Sequence, residues 1–224
     1  MSKSFTALPA VLAFSLCSLS VHAQPLSSAP QHPPMPSRPA PAGQYVVEGQ
    51  VQRMLINPYG EVDGLRLKDG TIAKFPPHMA EALLAAVKVG DAVRVIGRTQ
   101  TRGTVQAEAI VQTASGRTVY EQPPAVGEGR ALPPHLRAQR LQTQQVEGRV
   151  DTVLTGPRGE ANGVILSDGS IVRFPPESLR ISVQPGAAFA ASGMGTHNEF
   201  GTSLEAVSMG TTLAALQALY DRAQ

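Results

Sequence analysis

The chain has no tryptophan, and aromatic residues fill only 4% of its 224 positions. So few rings give little material for the stacking platforms that hold single-stranded nucleic acid. Its one cysteine, Cys17, excludes a disulfide framework and a cysteine-built zinc site. Charge is sparse as well, at 16% of residues with a net +2, so no strong basic field is available for nucleic acid or anionic membrane. The sequence lacks G-x-S-x-G, H-E-x-x-H and a phosphate-cradling glycine loop. The chain therefore reads as non-enzymatic, and nothing in it calls for a cofactor.

What is present begins with an export signal. Lys3, an apolar stretch from Phe5 to Val21 and the small-residue site Val21-His22-Ala23 read as a signal peptide over residues 1–23, cut after Ala23. The stretch is short for a membrane anchor and no stop-transfer pattern follows it. The expectation is a periplasmic or secreted protein without cysteine and without a transmembrane segment after cleavage. Residues 24–44 carry seven prolines and almost no aliphatic side chain, which predicts an extended tether.

The strongest signal is an internal repeat. Residues 47–77 align without a gap on residues 146–176, a spacing of 99, and sixteen of the thirty-one positions are identical. Two copies of one unit predict two small domains, at 45–113 and 145–210. A linker with a short helix after Pro134 spans 114–144, and a C-terminal helix is expected over 211–224, where Leu213, Leu216 and Tyr220 share a face.

Each copy opens with alternation of period two around a glycine, Val47-Gly49-Val51 in the first, which predicts a half-buried and bent strand. Asn57-Pro58-Tyr59-Gly60 turns the chain into a second strand at Leu65 and Leu67, and Asp69-Gly70 turns it into a third, ending at Phe75. A helix follows Pro76-Pro77, with Met79, Leu83 and Val87 at helical spacing. Two more strands, Ala92 to Arg98 and Thr104 to Val111, complete the unit. The second copy has a shorter segment at 177–184, which predicts one helical turn or none.

Three strands, a helix and two strands, with a long glycine-bent first strand, resemble the OB-fold. The fold expected is mainly β: two tandem five-stranded OB-like Greek-key barrels with short helices, similar to exported, periplasmic bacterial OB-fold proteins. That resemblance implies binding rather than chemistry. It also implies a ligand face on strands two and three and the adjoining loops, which in the first copy means Tyr59, Arg66, Lys68, Phe75 and Arg102. A two-residue turn at Asp69-Gly70 would point Phe75 outward, and a three-residue turn would reverse the faces.

The functional expectation is an exported, non-enzymatic binding or interaction module for a protein or a small molecule. A periplasmic metal-binding accessory role, with His78 and Met79 as candidate ligands, ranks second, since Met and His suit a soft ion but no ligand set has zinc-site spacing. Single-stranded nucleic acid ranks third, because Glu61, Asp63 and Asp69 offset Arg66, Lys68 and Lys74 on the same hairpin.

Overall fold

A computed structural model describes residues 45–123 and 134–220, all within one compact unit, Ala40–Gln224. The expected signal peptide and tether, residues 124–133 of the linker and the last four residues lie outside the described residues. Among the described residues no helix is long and apolar enough to cross a membrane.

The first barrel consists of β1 (Tyr45–Ile56), β2 (Val62–Leu67), β3 (Ile72–Lys74), α1 (Ala80–Ala86), β4 (Ala92–Thr101) and β5 (Thr104–Gln112). Strand order β3-β2-β1-β4-β5 closes through a parallel β3–β5 pairing at Ile72, Ala73 and Lys74. Closure leaves no open edge between the first and last strands, and the inward side chains fill the interior. Val51, Leu65, Leu67, Ala73, Phe75, Val93, Val95 and Ile110 are buried there. A 3-10 turn at Pro77–Met79 leads into α1, whose Leu83, with Val87 just beyond it, plugs one end of the barrel at 0% exposure.

The second barrel repeats the plan with β7 (Gln142–Thr155), β8 (Ala161–Leu166), β9 (Ile171–Arg173), β10 (Ala188–Asn198) and β11 (Gly201–Gly210), closed by β9–β11. The helix after strand three is reduced to the 3-10 turn Pro176–Ser178, as its shorter segment predicts. Two tandem five-stranded closed barrels are thus the architecture.

Three boundaries differ from expectation. A short strand β6 (Thr118–Tyr120), in what reads as linker, pairs with β5 and extends the first sheet. The linker does hold its short helix, α2 (Pro134–Ala138), but β7 starts at Gln142, three residues before the expected boundary. The C-terminal segment is not the expected helix. It makes a 3-10 turn at Leu213–Ala215 and then β12 (Gln217–Ala218), paired with β11 at Met209 and Ser208. An isolated helix of that length is marginal, whereas an adjacent strand edge supplies hydrogen bonds at once.

Candidate functional site at the seam between the barrels

The hairpin between β2 and β3 takes the three-residue form. Leu67 N–H bonds Thr71 O at 2.8 Å and Gly70 N–H bonds Leu67 O at 3.0 Å, while Gly70 sits at φ +90°, a conformation that suits glycine. Asp69 fixes the turn by accepting from Thr71 N–H at 2.9 Å. This register turns Phe75 into the barrel, 3% exposed, and puts Lys74 opposite Gly64 on the outside. Phe75 therefore belongs to the core and not to an outer ligand face.

The outer face of β1–β3 in the first barrel lies against the outer face of β7–β9 in the second. Leu154, Ile165 and Ile171 of the second barrel belong to one buried cluster with Leu55 and Ile72 of the first. Their strand neighbours Val164, Leu166 and Val172 belong to the second barrel's own core. Because successive side chains on a strand point to opposite faces, the first three project out of their own barrel and into the seam. Each is 2% exposed or less, and each contributes about 1.5–3 kcal/mol of apolar burial.

Polar contacts around this apolar centre are reciprocal. Arg66 on β2 pairs with Asp151 on β7, and Arg173 on β9 reaches back to Asp63 on β2 at 3.4 Å. Thr101, at the β4–β5 turn, bonds Thr155 at the end of β7 at 2.8 Å, and Asn198, at the β10–β11 turn, bonds Gly60 O in the β1–β2 turn at 2.9 Å. Lys74 donates to Thr155 O at 3.2 Å. The same patch serves on both barrels, as in a two-fold interface, but within one chain.

Burial governs the charges here. It pushes the Asp63 carboxyl up, against the opposing pull of Arg173 and Lys74, and it pushes the Lys74 ammonium down, helped by Arg173. Asp151 is nudged up by burial but held below its ordinary value overall by hydrogen bonds from Arg66 and Thr152. Because folded Asp63 holds its proton more tightly than the unfolded chain does, its contribution to stability is gained as pH falls through the folded pKa and lost above it. Asp63→Asn, which installs the residue found at the equivalent Asn162, should abolish that term. In urea unfolding across a pH series, the wild type should gain on the variant as pH falls from neutral toward the carboxylate range. Parallel curves would contradict this account.

The five residues expected on a ligand face do not converge on one. Arg66 is drawn into the seam with 16% of its side chain exposed, and Phe75 is in the core. Tyr59 is covered by Arg137 of α2, whose guanidinium carbon lies 4.0 Å from the ring centre and which also pairs with Glu61 at 2.6 Å. Lys68 and Arg102 are exposed at separate turns. Of the candidate metal ligands, His78 Nε2 meets Gln122 O at 2.7 Å and Met79 packs against the barrel core. Among the described residues no group of three potential ligands is placed to hold a metal ion.

Among the openings at the seam is a polar cleft of about 420 Å³ lined by Gln52, Arg53, Arg66, Asp151, Leu166, Ser167 and Asp168. Arg53 was not among the expected site residues. Its guanidinium rests against Gly169, where a side chain's first carbon would collide with it, and its pKa is lowered by burial and by Arg66, against Asp168 and Asp151. The signal that points to these residues is divergence between the copies. Arg53 aligns with Thr152, Arg66 with Ile165 and Gln52 with Asp151, so the cleft's charged pairs exist once and not twice.

No family model matches the chain, and no curated protein matches it. Among solved structures it is similar to a deletion mutant of the single-stranded DNA binding protein from Thermus aquaticus, at 17% identity over 76% of this chain and 94% of that one, with a TM-score of 0.21. At that score the two chains do not superpose as wholes, and no role passes from one to the other.

Proposed function

We propose that this protein is an exported, non-enzymatic binding module whose two OB-like barrels act as one body and recognise their ligand at the seam. The observation that carries this reading is the reciprocal packing of the β1–β3 face on the β7–β9 face. The surface that would bind ligand in a lone OB barrel here holds the sister barrel, and the seam cleft is a polar opening left between them. Export rests on the leader at residues 1–23, and the first residue of the mature chain should be Gln24.

A ligand at the seam touches both barrels, so mass action should raise the unfolding of both together. The mature chain should melt in one transition, and any ligand found by thermal screening should move that whole transition. Two transitions, with one unmoved by ligand, would sink the reading. Single-stranded DNA bound by stacking on open strand faces is not expected under this reading. Retention on an oligothymidylate column at moderate salt, abolished by Arg66→Ala with Lys68→Ala but not by Arg53→Gln, would replace it with an open-face mode.

A further inference from the structure

We propose that the seam cleft is a binding site for an oxyanion carrying a single negative charge over two or more oxygens, a carboxylate or a phosphodiester, gripped by Arg53. The inference rests on the seam reading above and names the ligand class for it.

The argument is an accounting of donors and acceptors. Both carboxylates of the cleft are already engaged. Asp151 accepts from Arg66 and from Thr152 Oγ1 at 3.0 Å, and Asp168 accepts from Ser170 N–H and Oγ, each at 2.8 Å. Donors remain over. Among the described residues Arg53 has no hydrogen bond and no ion pair, although its Nε is buried. Arg66 spends one terminal nitrogen on Asp151, and its own Nε is likewise buried and unpartnered. Buried guanidinium N–H groups left without acceptors are costly, and the terminal nitrogens of Arg53, which are not buried and have no acceptor in the protein either, are the donors that need one from the cleft. Water can meet part of that need. A two-oxygen anion matches the planar guanidinium fork better, because it takes two parallel charge-assisted bonds at once.

The seat of Arg53 is specific to this copy of the repeat. Gly169, at φ +91°, brings its backbone against the guanidinium, whereas the equivalent Gly70 has nothing near it. Asp151 and Asp168 line the same cleft and set its selectivity. With their charge close by, a singly charged group is favoured over a dianion.

The test uses the full mature chain, titrated separately with acetate and with dimethyl phosphate at ionic strength held constant with chloride. Arginine Nε–H resonances are read by nitrogen-15 NMR and assigned with Arg53→Lys and Arg66→Lys. Saturable shifts of the Arg53 and Arg66 signals with either anion are expected, with affinity reduced tenfold or more in Arg53→Gln and in Gly169→Ala. Gly70→Ala, which carries a similar backbone penalty without touching the cleft, should bind as the wild type does. An oligothymidylate that shifts the same two signals and competes with dimethyl phosphate would identify the source as a nucleic-acid backbone; acetate binding alone would identify a free carboxylate. No saturable shift in folded wild-type protein, or equal binding by Arg53→Gln, would overturn the proposal. If the single melting transition survives that outcome, the seam reading stands and only the ligand class has failed.

Discussion

Ile165→Arg should destabilise the whole protein by more than about 3 kcal/mol, although it only installs the residue that the first repeat carries at Arg66. Ile165 is fully buried in the apolar cluster that joins the barrels. A guanidinium at that point loses the apolar contact and has no carboxylate placed to receive it. The partner of Arg66 is Asp151, and the residue equivalent to Asp151 is Gln52, which carries no charge. Removing a surface ion pair would cost about 1 kcal/mol at most. The large expected loss thus separates a seam held by apolar burial from one held by salt bridges. Urea unfolding measures it, and a midpoint that moves by the equivalent of less than 1 kcal/mol would show that the seam is not a shared core.

Gly97→Ala should be of similar size for a different reason. Gly97 sits at a bulge in β4, between the registers Ile96–Ala109 and Gly97–Ala107, and its α-carbon faces the backbone of β5. A methyl group there would overlap the carbonyl oxygen of Gln106. Because the obstacle is backbone within a closed barrel, relief requires the β4–β5 ladder to part, which costs about 3 kcal/mol or more. Gly193 meets Glu205 O in the same way in the second barrel. Gly193→Ala should therefore cost a comparable amount, and the two losses should add if the bulges are independent. Chemical denaturation of both single variants and the double variant tests this; a near-neutral Gly97→Ala would show that the ladder yields easily.

The barrels themselves were legible because every signal involved is local. Glycine-bent alternation, Asp-Gly turns and Phe-Pro-Pro exits recur at a fixed spacing, and each constrains backbone within a few residues. The hairpin register was open because two-residue and three-residue turns share the Asp-Gly signature. Asp69, bonding the Thr71 N–H and hydroxyl, favours the longer one. The seam was not legible. Arg66 and Ile165 look like a surface that has drifted between copies, and no periodicity reveals that each faces the opposite barrel. Arg53 escaped for the same reason, since its seat on Gly169 joins residues 116 positions apart. The short strand β12 was missed because a three-turn amphipathic pattern cannot weigh helix against an unpaired strand edge next to it.

The reciprocal seam has a consequence for assembly. Two separate barrels joined by the same contacts would associate and part with concentration, and two identical ones would form two equivalent clefts or none. Carried on one chain, each barrel meets the other at an effective concentration set by the connection, which dilution does not change. Divergence of one half can then break the symmetry while the barrels stay joined, so that the Arg53 cleft has no second copy at the equivalent positions Thr152 and Ile165.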